Sequence, residues 1–461
     1  YTVKNISNRL SNMSNNTAKI SSKSEVISKP TNAGRKVFRG EVLHFLADPA
    51  KVAEEESYQY FADGLLVINN GLVEAVGNTK DLLTTLPADV VITQYDNGLI
   101  MPGFIDTHVH YAQSEMVASY GEQLLEWLEN YTFPEEKQFS DIEHGKRVAE
   151  FFLTQLLDAG TTTALVFGTV HKESVDAFFT VAQQKKLRMI CGKVLMNQNC
   201  PADLQDTTES GYTDSKALIE KWHNTDRLQY AVTPRFAPTC STEQMNKAGE
   251  LLKEYPDVYL HTHLSENKDE ISWVSALFPD SDGYLDVYDK SSLLGRRSIF
   301  AHGVHLHDHE CQRLSETNSA IAFCPTSNLF LGSGCFDLKQ AEQFDVNIGL
   351  GTDIGAGSSF SMLTTLNEGY KTQQLRGNKL SPYKSLYLAT LGGAIALDLE
   401  GTIGNFTKGA EADFIVLDYQ ATPLMDVRIK RCKTLTEKLF VLSMLGDDRH
   451  VKATHIMGEK V

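Results

Sequence analysis

Two histidines, His108 and His110, are the first residues of this chain whose types and spacing could do chemistry. They end the apolar run 104–110, which follows a Pro-Gly turn. Such a run predicts a β-strand, on which residues i and i+2 share one face. Neutral imidazoles placed in this way can bind one divalent ion, and such an ion can activate water near neutral pH. An isolated pair would equally fit two satisfied polar residues, so the interpretation depends on further residues.

A third histidine and a glutamate follow a second predicted strand. Residues 258–260 are apolar, so His261 and His263, which come next, face the same way. Glu266 lies three residues beyond His263, where the strand passes into its loop. It can therefore stand over a bound metal and transfer protons without being a ligand. We expect His261 to pack beneath the site, and the alternative for Glu266 is a solvated loop carboxylate.

Two more strand ends complete this constellation. His302 ends a short apolar stretch, and Asp353 ends the strand-like segment 346–352. A carboxylate at position 353 can bind a metal and accept a proton from bound water. Without the histidines, a helix N-cap would be its default interpretation. We expect the neighbouring histidines on the surface of a loop that enters a helix: His305, His307 and His309.

The elements that must position these residues alternate along the chain. Strand-like runs at 162–167, 189–195 and 320–325 are separated by amphipathic helical stretches such as 145–159 and 242–255. This alternation indicates parallel βα units, and about eight of them fit between residues 98 and 397. We therefore predict a (β/α)8 barrel, in which the carboxyl ends of the strands gather at one mouth.

The two ends of the chain have a different pattern. Segments 37–48 and 65–77, with an Asn70-Gly71 turn, predict antiparallel strands and a hairpin, and segments 412–418, 439–445 and 451–457 also predict strands. We predict a small β-sandwich domain formed from both chain ends. The expected division is a mobile tail at 1–35, the sandwich at 36–99 and 399–461, and the barrel at 100–398. Within the tail, which is rich in Ser, Asn and Lys, Met13 is a candidate start.

Composition narrows the class of protein. The chain has 461 residues, 42% hydrophobic, and no apolar run near the ~20 residues that span a bilayer, so we expect a soluble protein with no membrane partner. A formal net charge of −16 argues against nucleic acid as a partner, because phosphate backbones need basic surfaces. Seven cysteines without a Cys-x-x-Cys pair predict reduced thiols in the cytoplasm.

Together, the segment 102–110, His263 with Glu266, His302 and Asp353 resemble the amidohydrolase superfamily. The resemblance extends over nearly the whole chain, including segment 401–413, which resembles the usual return to the terminal β domain. It implies that His108, His110, His263 and Asp353 bind the metal and that Glu266, His302 and Asp353 act in catalysis. It also implies a homodimer.

One metal ion is expected. Two-metal members of this superfamily carry a carboxylated lysine on the fourth barrel strand, and residues 228–238 contain none, while Lys193 lies one strand earlier. Zn²⁺ is the default for three histidines and one aspartate, and Fe²⁺ is the alternative, because nitrogen and oxygen donors alone do not distinguish them. The Pro-Cys-x-x-Cys motif of the other zinc deaminases is absent from the sequence.

The substrate rests on the segment 111–135, which is similar to the guanine-deaminating members of the superfamily. Gln113, Arg235 and Phe236 match their base-binding positions, where an amide and a guanidinium can bond a purine edge and a ring can stack on it. Taken singly, these residues could instead cap a loop, pair with a surface carboxylate and fill the core. We assign no chemistry to Leu124, Trp127 and Leu128, whose helical spacing predicts core or subunit contacts.

The resemblance therefore implies hydrolysis of guanine by a metal-activated hydroxide to xanthine and ammonia, as a step of purine catabolism. Attack would be at C2, with Glu266 protonating N3 and His302 holding the hydroxide. The same chemistry on cytosine, a pterin or a triazine is the nearest alternative, and a non-catalytic scaffold is the alternative from another class. The expected substrate contacts are Gln113, Arg235, Phe236, His110, His263, Glu266 and Asp353.

Overall fold

In a computed structural model of the protein, residues 34–121 and 123–461 are described. The predicted tail at 1–35 lies outside these residues except for its last two, and Arg35 begins the first strand. Residues 34–461 form one compact unit. The division at 36–99, 100–398 and 399–461 stays a prediction.

The strands of the described residues are β1 (Arg35–Phe45), β2 (Tyr58–Asn69), β3 (Leu72–Asn78), β4 (Ile92–Pro102), β5 (Phe104–His110), β6 (Thr161–Phe167), β7 (Arg188–Gly192), β8 (Val194–Leu195), β9 (Leu228–Pro234), β10 (Tyr259–Leu264), β11 (Ser298–His302), β12 (Ala320–Phe323), β13 (Asn347–Leu350), β14 (Phe414–Asp418), β15 (Val451–Ile456) and β16 (Glu459–Lys460). The α-helices are α1 (Thr79–Leu82), α2 (Leu124–Trp127), α3 (Phe133–Glu136), α4 (Ile142–Asp158), α5 (Lys172–Gln184), α6 (Thr208–Trp222), α7 (Thr242–Glu254), α8 (Lys268–Leu277), α9 (Tyr284–Lys290), α10 (Asp308–Glu316), α11 (Pro325–Phe330), α12 (Leu338–Gln343), α13 (Met362–Leu375), α14 (Pro382–Leu388), α15 (Leu391–Ala396), α16 (Pro423–Ile429) and α17 (Leu435–Leu445).

Eight parallel strands form a nearly closed barrel. They are hydrogen-bonded in the order β5-β6-β7-β9-β10-β11-β12-β13, and the short β8 pairs with β9. The first and last strands meet at their carboxyl ends, where Asp353 N donates to His108 O at 3.0 Å and His110 N to Ile354 O at 2.7 Å. The predicted (β/α)8 barrel is confirmed, and its carboxyl-terminal rim is where catalytic residues collect in this architecture.

The helices around the barrel begin and bury their faces as their sequences predict. Helix α4 starts after Asp141, whose carboxylate accepts from Glu143 N at 2.9 Å, and α7 starts after Ser241, whose hydroxyl accepts from Gln244 N at 3.2 Å. Such caps satisfy amides that have no partner within the helix. Val148, Phe152 and other apolar residues of α4 recur at three- and four-residue spacing and are buried.

The chain ends form a seven-stranded mixed sheet in the order β16-β15-β14-β4-β1-β2-β3. Asn70 and Gly71, both at positive φ, make the predicted two-residue turn between β2 and β3. The prediction of a β domain from both ends is confirmed. Its strands form one continuous sheet, whereas the prediction was a sandwich of two sheets. The strand pairing has register shifts, for example between Gly40 and Val42.

One predicted strand is wrong. Residues 439–445 belong to helix α17, which begins after a reciprocal cap in which Thr434 Oγ1 accepts from Glu437 N at 3.2 Å and Glu437 Oε2 from Thr434 N at 3.2 Å. A short apolar run does not distinguish a buried helix from a strand, whereas the Thr-x-x-Glu cap marks a helix start.

Partly buried ion pairs join the terminal sheet to the barrel. Arg188 at the start of β7 and Arg227 just before β9 both bind Glu411, with Nε to Oε2 distances of 2.8 and 3.1 Å, and Arg227 also pairs with Asp413. The pairs lie at the amino-terminal ends of the strands, opposite the rim. In this architecture, that face serves stability. Among the described residues, no helix is both long enough and apolar enough to span a bilayer.

Candidate active site

The predicted site residues come from four strand ends of one barrel rim. His108 and His110 lie on β5, His263 on β10, and His302 ends β11, while Asp353 follows β13 by three residues. All are buried or nearly so. Parallel strands explain how residues up to 245 positions apart, from 108 to 353, reach one cavity.

Nitrogen and oxygen donors converge on one point of this rim. His110 Nε2 lies 3.3 Å from His108 Nε2 and 3.2 Å from His263 Nε2, and Asp353 Oδ1 lies 3.1 Å from His108 Nε2 and 3.4 Å from His110 Nε2. Tetrahedral ligands about 2.0–2.1 Å from a zinc ion stand about 3.3 Å apart. The spacing therefore fits a single divalent ion.

A second group of donors overlaps the first. His108, His263 and His302 each offer a ligand atom within 4.8 Å of the others. Distance alone therefore leaves His302 as a competitor of Asp353 for the metal.

The histidines are oriented by partners behind them. His263 Nδ1 donates to Arg235 O at 2.6 Å, His108 Nδ1 lies 2.7 Å from His261 Nε2, and His302 Nδ1 lies 2.9 Å from Asn328 Oδ1. Such partners hold the ring and leave Nε2 facing the ion. His261 lies beneath the site, as predicted.

The imidazoles are suited to bind a cation. Burial, and after it the charges of neighbouring histidines, holds the pKa of His108, His110 and His263 well below the ordinary value. These side chains are therefore neutral near pH 7 and offer lone pairs.

Two carboxyl groups lie near Nε2 of His302, the ring nitrogen that does not bond to Asn328. Glu266 Oε2 lies 3.5 Å and Asp353 Oδ2 3.7 Å from His302 Nε2, and Ser333 Oγ donates to Glu266 Oε1 at 3.3 Å. Burial, followed by the charge of Asp353, raises the pKa of Glu266 to about 8, and burial raises the pKa of Asp353 to about 6. A nearby cation acts in the other direction and favours the ionised forms.

The loop that carries Glu266 is fixed by a further buried acid. Glu270 Oε2 accepts from Glu266 N at 2.9 Å and Asn267 N at 3.0 Å, while Tyr284 OH donates to Glu270 Oε1 at 2.7 Å. Nearby, Ser265 has a φ of 48°, and this conformation is rare for residues other than glycine. Glu270 thus holds the backbone that carries Glu266.

Beside the donors lies a cavity. Arg235, Phe236 and Gln113 line it, and so do residues of the donor cluster and its surroundings: His110, His263, Glu266, His302 and Asp353. Phe236 is 4% exposed, and its ring packs edge-on against Trp273 at 6.2 Å between ring centres. The remaining lining residues are Leu124, Trp127, Leu128, Glu270, Leu331 and Ala356. Apolar walls with a few placed polar groups are typical of small-molecule sites.

Two groups of residues at the cavity were not predicted from the sequence. Leu124, Trp127 and Leu128 are buried as predicted, but they also form a wall of the cavity. Glu136 is not a lining residue itself but binds two that are, with Oε2 2.7 Å from Arg235 Nη1 and Oε1 3.1 Å from Gln113 Nε2. Nothing in the sequence separates Glu136 from its partly exposed neighbour Glu135.

Residues predicted to lie outside the site do so. His307 and His309 are exposed, and His305 bonds to Ser333 O at 2.9 Å. Lys193 Nζ is 2.7 Å from Asp206 Oδ2 and 3.2 Å from Val194 O, so its amine is bound away from the donor cluster.

Known proteins share this architecture. Residues 99–461 match the amidohydrolase family. The guanine deaminase of Escherichia coli (strain K12) is 54% identical over 421 residues, covering 91% of this chain and 95% of that protein. A solved structure of E. coli guanine deaminase matches with a TM-score of 0.90 at 53% identity, over 92% of this chain and 99% of that chain. A crystal structure of guanine deaminase from C. acetobutylicum with bound guanine in the active site matches with a TM-score of 0.83 at 29% identity, over 93% of this chain and 100% of that chain. This chain therefore belongs to the amidohydrolase family.

Proposed function

We propose that the protein hydrolyses guanine to xanthine and ammonia, a step of purine catabolism. The observation that carries the proposal is the 54% identity to a guanine deaminase over 91% of this chain. The cavity supports it, because a cluster of candidate metal ligands, a buried acid and a pocket with polar lining residues lie together. The reaction replaces the C2 amino group of guanine by an oxygen from water.

His108, His110, His263 and Asp353 are the proposed ligands of one divalent ion, with zinc as the first candidate and iron(II) as the alternative. When bound, the ion lowers the pKa of water, so that a nucleophilic oxygen is available near neutral pH. The donor spacing given above supports this assignment. The pairing of Lys193 with Asp206 supports one ion, since this lysine does not face the cluster.

The chain's own acids and bases move the protons. Asp353 accepts one proton of the attacking water as its oxygen bonds to C2, while Glu266 gives its proton to N3 of the ring. The Glu266 carboxylate then takes the proton of the new C2 hydroxyl and passes it to the amine. The C2–N bond breaks, ammonia departs, C2 keeps the oxygen as a carbonyl, and the proton on Asp353 returns to Glu266. His302, between the two carboxyl groups, holds the attacking water and the tetrahedral centre. The raised pKa of Glu266, about 8, supports this role, because it favours a carboxyl that can donate a proton near neutral pH.

The base is held by donors at one end of the cavity. Arg235 donates to the guanine O6 carbonyl, and Phe236 stacks on the ring. Gln113 contributes one N–H, because its other amide N–H binds Glu136 and its Oε1 already accepts from Gly355 N at 3.2 Å. His110, His263, Glu266 and Asp353 face the reacting side of the ring.

A substrate panel tests this function. Purified protein is incubated with guanine, cytosine, a pterin and an aminotriazine, and ammonia and the deaminated product are both measured, with and without a chelator. We expect one ammonia per xanthine from guanine, lost on chelation and restored by Zn²⁺ or Fe²⁺. Turnover of another ring but not guanine would contradict the substrate, and inactivity of metal-loaded protein on every ring would favour a scaffold.

We further propose a homodimer in a reducing cytoplasm. All seven cysteines are unpaired, which suits a compartment that keeps thiols reduced. Light scattering on purified protein tests the dimer, and a mass of one chain would contradict it.

A further inference from the structure

A buried carboxylate with no part in the proposed chemistry joins Arg235 and Gln113, two polar residues that line the base cavity. Glu136, the last residue of α3, is 1% exposed. Its two oxygens divide between Arg235 Nη1, at 2.7 Å, and Gln113 Nε2, at 3.1 Å. A charged side chain is buried in this way only when it is paired, so its place here has an energetic cost that its contacts must offset.

The first effect of Glu136 is orientation. With Glu136 taking one amide N–H and Gly355 N donating to Oε1, the Gln113 side chain has one orientation and presents its second N–H. The Arg235 guanidinium is held at Nη1 by Glu136 and on its face by the Phe133 ring, 5.3 Å from Cζ to the ring centre. Both donors are therefore aimed before a base arrives, which lowers the entropy cost of binding.

The second effect is electrostatic. Arg235 is the one cationic side chain that lines the cavity, among the described residues. Paired with Glu136 it forms an ion pair with no net charge, whereas alone it would be a buried cation that favours anions. Guanine is neutral near pH 7, while its product xanthine loses a proton more readily and urate, a further oxidised purine, is an anion.

We propose that Glu136 is a positioning and specificity residue, which orients Gln113 and Arg235 for a neutral oxopurine and disfavours purine anions. The inference rests on the proposed function. It assigns to the ion pair the discrimination between the neutral substrate and ionised purines, including the ionised form of the product.

The test compares Glu136→Gln, which keeps the side-chain shape and removes the charge, with Glu135→Gln on the same helix as the control. Guanine turnover and inhibition by urate are measured at pH 7 on metal-loaded proteins of verified metal content. We expect Glu136→Gln to lower kcat/KM for guanine about 10- to 100-fold, mostly through KM, because charge-assisted hydrogen bonds are lost. Urate inhibition should tighten about tenfold or more, and Glu135→Gln should match the wild type in both.

Opposite movement of the two ligands separates this role from a structural one, because a loosened cavity would weaken both. Unchanged guanine kinetics, or urate binding that weakens together with guanine binding, would overturn the proposal. Should Glu136→Gln not fold, Glu136→Asp keeps the charge with a shorter reach. It should raise KM for guanine while urate inhibition stays as weak as in the wild type, and tighter urate binding would overturn the proposal. A wild-type protein without guanine turnover would instead refute the proposed function.

Discussion

Replacement of Glu266 by glutamine is the sharpest perturbation of the proposed chemistry. Glu266 is 2% exposed, with its oxygens 3.3 Å from Ser333 Oγ and 3.5 Å from His302 Nε2. Glutamine preserves the size and an acceptor for Ser333 but cannot transfer a proton. General acid–base assistance contributes about 100- to 10,000-fold. Because Glu266 acts on both N3 and the leaving amine and its buried position admits no ready substitute, we expect a loss of kcat of about 1,000- to 10,000-fold. This loss corresponds to about 4–5.5 kcal/mol of barrier.

The assay is xanthine formation at saturating guanine, with the metal content of each preparation measured beside it. Glu266→Gln should retain its metal and a KM near that of the wild type, since the altered group is not a proposed ligand. Glu250→Gln, an exposed carboxylate on α7, is the control and should keep full activity. A metal-loaded Glu266→Gln enzyme within tenfold of the wild-type kcat would refute the role of Glu266 as proton carrier.

Three further predictions concern stability. Asp106→Ala removes the acceptor of His108 N and Thr352 N. It should therefore lower the free energy of unfolding, measured in urea titrations, by about 2–6 kcal/mol and weaken metal retention. A loss below about 1 kcal/mol would contradict this. Arg227→Met leaves the buried Asp413 carboxylate without this partner and should lower the free energy of unfolding by about 3–5 kcal/mol. The control, Arg449→Met at an exposed position, should lower it by less than about 0.5 kcal/mol. Equal effects of the two variants would contradict the importance of the ion-pair network. Burial lowers the pKa of His44 and His455 from 6.5 to about 4. As the pH falls, the unfolded chain therefore takes up these protons before the folded chain does. The contribution of these histidines to the free energy of unfolding should be full above pH 6.5. It should fall towards pH 4 by about 1.4 kcal/mol per pH unit for each histidine. His44→Gln should reduce this slope, and an unaltered slope would contradict the assignment.

Much of the fold was predictable because local patterns and the global architecture agree. The apolar runs that end in His110 and His302 predict strands, and a barrel of parallel strands gathers their carboxyl ends at one rim. The Asn70-Gly71 turn identifies its hairpin for a similarly local reason. The run 439–445 failed, because apolar composition alone does not distinguish a buried helix from a strand, while its Thr434 cap was the informative signal.

The residues of the donor cluster were predictable because histidine and aspartate carry chemistry in their types. The places of Glu136 and Trp127 at the cavity could not be predicted. The sequence does not distinguish a buried glutamate that pairs with Arg235 from an exposed glutamate. Apolar residues of a cavity wall also have the same helical spacing as apolar residues of a core. Which side chains face a cavity depends on where the loop after β5 folds back over the rim. That fold-back depends on contacts distant in sequence, and no local pattern encodes it.

The measurement that tests the central claim most directly is the metal content per chain of the wild type and two variants. The proposed site predicts one divalent ion in the wild type, loss of that ion in Asp353→Asn, and retention of it in His302→Asn. His302 competes with Asp353 by distance alone, so the two variants distinguish the ligand from its neighbour. Two ions per wild-type chain, or an ion retained without Asp353 and lost without His302, would contradict the account.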